Sequence, residues 1–311
     1  MTTVVPDTLG EQQDRPRTVA ASPTAADRIF RGSTRLIGLL VLVLVGSVGV
    51  FLGYKLVPVL QHYGFRFFTE SQFNPEQNVV GIAAAMVGTV EVAVIALIVA
   101  FPLALLSALY ISEYSPLWLR SFLVSVIDLM AAIPSIVYGV WGVFLLMPRA
   151  LFAARWISEF FGWIPIFKVQ NADPRAATLS GYRFEQSAFI AGLVVAMMVI
   201  PLSCAIMRGV FAQAPVSERE GAYALGATRW GMIRTVVLPF GRGGIIGGTM
   251  LGLGRALGET VAVLLIISVA FDVKIRILES GTITISALIA NRFSDATSLQ
   301  LDALLAAGFV L

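Results

Sequence analysis

Charge is scarce in this sequence. Only 13% of its 311 residues are Asp, Glu, Lys or Arg, where a water-soluble domain carries about a quarter. There is one cysteine and one histidine. A single cysteine, Cys204, excludes an internal disulfide and a cysteine-based metal site within the chain. It lies in an apolar segment and reads as a small packing residue. The single histidine, His62, sits beside an aromatic run at a membrane surface and reads as a wet side chain rather than a proton relay. No nucleophile–base set and no metal-ligand cluster can be assembled from the sequence, so no catalytic site and no cofactor are expected in this chain. The formal charge of +3 and the pI near 9.2 are ordinary for a membrane protein and imply no nucleic acid.

What is present is apolar sequence in long runs. The hydrophobic fraction is 57% and the mean hydropathy +0.84, more apolar surface than one water-soluble core can use. An all-α polytopic membrane protein in the lipid bilayer is expected. Residues 1–27 are polar, carry Pro6, Pro16 and Pro23, and keep no helical period, so they read as a disordered cytoplasmic tail ahead of a transmembrane domain over 28–311. Six apolar segments follow: about 36–60, 80–111 with Pro102 as a kink, 119–147 with Pro134 inside, 187–207, 245–270, and a last one from Leu299. The last is still apolar at Leu311 and too short to cross, so that span is expected to be incomplete in this chain.

Arg15, Arg17, Arg28, Arg31 and Arg35 precede the first span, and Lys55 and Arg66 stand at its far end. Basic residues favour the cytoplasmic side. The N-terminus is therefore placed in the cytoplasm, the 208–242 loop on the same side, and the 148–184 segment outside. That outer segment mixes Trp156, Phe160, Phe161, Trp163 and Phe167 with Arg155, Glu159 and Lys168, which suits an interfacial helix at headgroup level.

The 208–242 loop is polar and short. Ser217 stands three residues before Glu220, the spacing of a capping box. With Pro215 ahead and Gly226 behind, a helix over 218–225 is expected. Thr228 can cap a second helix whose Trp230, Ile233 and Val237 form one apolar face and which Pro239 ends. A DNA-reading helix-turn-helix has similar parts, but a loop pinned at both ends to a bilayer argues against it. A plain connection and a docking element for a soluble partner both remain. The residues Glu220, Ala222, Gly226 and the pair Leu238–Pro239 resemble the EAA loop of ABC importer permeases. Gly221 departs from the usual alanine, at up to about 1 kcal/mol of helix propensity. The resemblance implies that Ser217, Glu220, Gly221, Ala222, Gly226, Leu238 and Pro239 belong to an element seated in a cleft of an ATPase.

Beyond the loop, Gly244, Gly248 and Gly252 recur every four residues, as do Gly254 and Gly258, a spacing that lets transmembrane helices approach closely. The run from Gly252 to Gly258 comes close to a nucleotide-binding fingerprint, but no strand precedes it and no Lys-Ser/Thr follows, so ATP has no site here. Arg255 lies about 15 Å into its span, where an ionised residue costs roughly 2.5–3.5 kcal/mol. Glu259 is one helical turn on. An internal, self-neutralising salt bridge and a polar lining of a translocation path are both open; a guanidinium suits an oxyanion because it donates two parallel hydrogen bonds. Glu91, in the second span, is either a packing carboxyl or a paired one.

Residues 251–260, LGLGRALGET, together with Asp128, Pro134, Ser135, Tyr138 and Gly139, resemble the PstC-type permeases of bacterial phosphate ABC importers over about residues 36–270. The resemblance implies a type I importer permease with six transmembrane helices and a phosphate path that includes Arg255, Glu259, Ser135 and Asp128. It also implies a PstA-type second permease, a PstB-type ATPase dimer using ATP and magnesium, and a PstS-type phosphate-binding protein. A permease for another oxyanion, the PstA-type partner itself, and a secondary transporter or channel with Glu91, Asp128, Arg255 and Glu259 as a relay stand as alternatives.

Overall fold

Hydrocarbon offers a backbone amide no water to bond, so apolar runs must satisfy their hydrogen bonds inside helices. The computed structural model, which describes residues 25–74, 77, 79–170 and 181–311, follows that requirement. The tail over 1–27 lies outside the described residues as far as residue 24, and helix α1 (Ala25–Tyr63) already includes its last three residues. A short α2 (Arg66–Thr69) and a two-strand hairpin, β1 (Phe73–Asn74) with β2 (Val79–Val80), lead into α3 (Ala83–Leu109), which continues as a π turn over Tyr110–Tyr114. Next come α4 (Leu117–Ala132), α5 (Ser135–Trp141), a π turn (Gly142–Leu146) and α6 (Met147–Phe161). Then follow α7 (Ala188–Phe211), α8 (Val216–Ala224), α9 (Arg229–Met232), a third π turn (Ile233–Val237) and α10 (Leu238–Phe240). The chain finishes with α11 (Arg242–Gly258), α12 (Val261–Ile266), α13 (Ile285–Arg292) and α14 (Ser298–Val310). Of the unit that ends at Phe51, the described residues 25–51 are one exposed, apolar helical stretch; the unit from Leu52 onward is the packed one.

Among the described residues four helical stretches are long and apolar enough to cross a membrane: Ala25–Tyr63, Ala83–Tyr114, Ser135–Phe161 and Ala188–Phe211. The pair Arg229–Phe240 and Arg242–Gly258, bent by 66°, makes a fifth if taken as one broken span. Two of the six expected segments are thus interrupted. The third, expected over 119–147, breaks at Ile133, which is extended (φ −65°, ψ 130°). The ring of Pro134 disfavours helical backbone in the residue before it. The helix that restarts at Ser135 runs on to Phe161, beyond the expected boundary, so the first part of the 148–184 segment is a continuation of that helix. It buries Ala150, Ala154 and Ser158 on one side, while Trp156 and Phe160, rings 5.0 Å apart, stay exposed. Residues 171–180 of that segment lie outside the described residues. The fifth segment breaks after Gly258, and α14 is a shorter apolar helix. Pro102 and Pro201 end neither α3 nor α7.

Small side chains set the packing. Ala96, Ala100, Ala104 and Ala108 form a stripe of spacing four on α3, fully buried, and α3 packs along α7 with Ile95 over Gly192. Cys204 is buried with Ala104, Ala108, Met207 and Phe211, as a packing residue should be. Helix α11 packs against both α7 and α3. A methyl group at Gly244 would lie 2.5 Å from Val210, and at Gly252 2.6 Å from the Ser203 hydroxyl. Ser203 donates from Oγ to the Gly248 carbonyl at 2.9 Å. Gly254 and Gly258, the second expected pair, face open space.

Overpacking a closed seam costs about 1–3 kcal/mol. Gly252→Val is therefore expected to lower the thermal stability of the detergent-solubilised protein by that order, whereas Gly254→Ala leaves it unchanged. Scanning fluorimetry of the two variants checks the contrast.

Candidate functional site

The polar loop folds as a helical hairpin. Gly226 takes φ +82°, the left-handed conformation that glycine adopts without penalty. Its amide bonds the Tyr223 carbonyl at 2.9 Å and the Ala227 amide bonds the Ala222 carbonyl at 3.0 Å. These two bonds are a Schellman ending for α8. Thr228 caps the second arm as expected, its Oγ1 accepting from the Gly231 amide at 3.1 Å. Three expectations are corrected. The capping box of Ser217 and Glu220 does not form: α8 begins at Val216 with Pro215 at the N-cap, so Ser217 already lies inside the helix. Pro239 does not end the second arm; the wide π turn before it carries the helix through Leu238 and Pro239 to Phe240, and the bend falls at Gly241. Trp230 is 55% exposed, and Met232, Ile233 and Val237 form the buried face instead.

Helix α8 buries none of its residues, and Ser217, Glu220 and Gly221 are exposed. Ala222 alone leans on the neighbouring core, and Leu225 at the tip is 91% exposed. What ties α8 down is Arg219. Its Nη1 donates to Glu113 Oε2 at 2.9 Å and its Nη2 to the Phe211 carbonyl at 2.7 Å. The Glu113 side chain is only 3% exposed, and Ser112 Oγ donates to its other oxygen at 2.8 Å. From the second arm, Arg229 stacks over the Tyr114 ring at 5.2 Å. In the sequence Arg219 and Arg229 stood out only as basic residues of the loop, and Glu113, Ser112 and Tyr114 did not stand out. The signal was there in Glu113, a carboxylate closing a long apolar run.

The charged residues of the fifth segment are not arranged as an ion pair on one helix face. Helix α11 stops at Gly258, and Glu259 is extended (φ −69°, ψ 124°). Its carboxylate turns to the next helix, Oε1 accepting from the Ala262 amide at 3.3 Å, and its carbonyl accepts from Ser286 Oγ at 2.7 Å. Glu259 is 8% exposed. Arg255 is exposed, and among the described residues no carboxylate pairs with it. The Tyr138 hydroxyl donates to the Met130 carbonyl at 2.9 Å across the Ile133–Pro134 break. Ser135, half-buried, opens α5 one turn before Tyr138. Asp128 is engaged elsewhere, with Arg208 of α7 at 3.4 Å. In Glu91 one carboxyl oxygen is buried without a hydrogen-bond partner.

A second charged cluster lies in the extended stretch between α12 and α13. Glu279 takes Arg276 Nη1 at 2.8 Å and Lys274 Nζ at 3.4 Å, and Lys274 also donates to the Ser280 carbonyl at 3.1 Å. The strand-like pairing of Ser187 with Ser280 and the Phe189 amide on the Ile277 carbonyl fasten this stretch to the start of α7. Burial pushes the Glu279 carboxyl up, but the Arg276 hydrogen bond and the Lys274 and Arg276 charges outweigh it and hold it below the ordinary glutamate value.

Residues 100–310 match the family of binding-protein-dependent transport system inner membrane components. The chain belongs to that family. It is 38% identical over 286 residues, 91% of its length, to the phosphate transport system permease protein PstC of Pasteurella multocida, of which 86% is covered. It is 40% identical over 253 residues to the PstC protein of Xylella fastidiosa, with 81% of this chain and 75% of that protein aligned. To PstC 2 of Mycobacterium tuberculosis it is 36% identical over 289 residues, with 92% and 87% covered. The all-helical membrane architecture of a type I importer permease agrees with this membership.

Two outcomes follow from the hairpin and the cluster. Gly226→Ala places a side chain in the left-handed region, at about 1–2 kcal/mol, and is expected to speed amide exchange across α8; Gly221→Ala, which adds a methyl in open space, is expected to slow it. A carboxyl held below its unfolded value of about 4.3 stabilises above that pH and loses its contribution as pH falls through the folded value. Protease resistance of the 272–284 stretch should therefore fall on acidification below about pH 4, and Glu279→Gln should remove that dependence.

Proposed function

We propose that this chain is the transmembrane subunit, of the PstC type, of an ATP-driven importer of inorganic phosphate. The observation that carries the reading is Arg255, a guanidinium within a membrane segment that no carboxylate neutralises among the described residues. A cation left free in such a place is stabilised by a mobile anion, and its planar fork matches two phosphate oxygens. Phosphate is the substrate in the names of the PstC relatives.

In this reading the α8–α9 hairpin faces the cytoplasm and seats in a PstB-type ATPase dimer that binds ATP with magnesium. Its exposed Val216, Glu220, Tyr223, Leu225 and Trp230 supply the docking surface. A PstA-type permease forms the other half of the path, and a PstS-type binding protein delivers phosphate from outside. Closure of the ATPase moves the hairpin, the path opens outward, phosphate passes Arg255 near the Ser135 end of α5, and hydrolysis resets the gate. Glu259 holds the chain break that ends α11, so its part is to shape the path beside Arg255. Asp128, paired with Arg208, belongs to the wall nearer the hairpin.

Hydrogen bonds to a charged group contribute about 1.5–3 kcal/mol. Arg255→Ala is expected to leave assembly intact and to reduce phosphate uptake into proteoliposomes by about tenfold or more. Normal uptake by that variant overturns the role of Arg255. Uptake that survives without the ATPase and collapses with a protonophore overturns the ATP-driven mechanism.

A further inference from the structure

The hairpin is fastened to one long helix, and through it to the break beside Arg255. Packing does not hold α8, which buries no residue. Arg219 holds it, by one short hydrogen bond to the Phe211 carbonyl and one to the Glu113 carboxylate, which is itself almost fully buried and fixed by Ser112. The second arm grips the next residue along, through Arg229 on Tyr114. The two arms on either side of the Gly226 turn therefore hold the same end of α3.

From that end the helix runs unbroken over 32 residues, Ala83–Tyr114, about 48 Å at 1.5 Å per residue. Near its other end Thr89 Oγ1 accepts from the Ile285 amide at 2.9 Å, and Gly88 lies against the Ile283 carbonyl with no room for a side chain. One residue on, Ser286 Oγ donates to the Glu259 carbonyl at 2.7 Å. Glu259 is the first residue after α11, the helix that carries Arg255. The covalent route from the hairpin to Arg255 is shorter but bends by 66° at Gly241, and a hinge absorbs displacement instead of passing it on.

We propose that Arg219 and Glu113 are positioning residues that lock the hairpin to α3, and that α3 carries the hairpin's displacement to the 282–286 stretch and so to the Glu259 break. This rests on the coupling role given to the hairpin above. Contiguity alone does not demonstrate coupling, so the test is a ratio that a purely structural role does not move. The complete complex with its ATPase and binding protein is reconstituted in proteoliposomes, and phosphate imported per ATP hydrolysed is measured. In Arg219→Ala and Glu113→Gln the complex still retains its ATPase and hydrolyses ATP, while phosphate per ATP falls at least tenfold. The exchanged pair, Arg219→Glu with Glu113→Arg, recovers at least a third of the loss. Thr89→Val, far from the hairpin and close in shape, lowers the same ratio without changing ATPase binding, and it carries the test if the Glu113 variants fail to assemble. A ratio within twofold of the parent in the Arg219 and Thr89 variants overturns the proposal, as does loss of the ATPase from the Arg219 variant, which assigns that residue to docking alone. An unmodified complex that hydrolyses ATP without importing phosphate removes the functional reading itself, an outcome distinct from both.

Discussion

The close approach of α7 and α11 is the contact on which the other arrangements depend. It exists because Gly244, Gly248 and Gly252 present no side chain to Val210, Met207, Ser203 and Val199. Lipid supplies no hydrophobic drive to bring two apolar helices together, so van der Waals contact at short range and the Ser203–Gly248 hydrogen bond must hold them. Once α11 is fixed against α7, its two ends are fixed as well. One end receives the hairpin through Gly241. The other carries Arg255 and stops at Gly258, just before the extended Glu259.

Breaks in helices are costly inside a bilayer, and each one here is repaired by a nearby polar group. At Ile133–Pro134 the Met130 carbonyl takes the Tyr138 hydroxyl. After Gly258 the Glu259 carboxylate takes the Ala262 amide and its carbonyl takes Ser286. Irregular backbone at membrane depth is tolerated where protein or a polar cavity surrounds it. The second break follows one turn after Arg255, which no carboxylate pairs among the described residues. Arg255 and Glu259 are therefore better understood separately, one as an available cation and the other as the cap of a restart.

The sequence made the helical class, the hairpin, its Gly226 turn, the Thr228 cap and the first glycine seam readable, because each rests on a local rule: hydropathy, left-handed backbone, a side-chain oxygen, a spacing of four. It misled where local rules competed. Ser217 and Glu220 had the spacing of a capping box, but Pro215 took the N-cap and put Ser217 inside the helix. Pro239 looked like a stop, but the widened turn before it absorbed its missing amide. Arg255 and Glu259 looked like neighbours because a continuous helix was assumed, and Gly258 ended it. Glu113 and Arg219 stand 106 positions apart, and no periodicity within one segment can reveal such a pair.

The three π turns among the described residues, at Tyr110–Tyr114, Gly142–Leu146 and Ile233–Val237, each store one residue more than an α-helix of the same rise would hold. Such a surplus residue is a movable dislocation. Shifting it along a helix rotates the portion it passes by about 100° while the hydrogen bonds at both ends stay closed. Two of the three lie directly under the hairpin, on the helix that Arg219 grips and on the hairpin's own second arm. A shift of that kind there would turn side chains toward or away from the interior without unfolding a helix or parting the glycine seam.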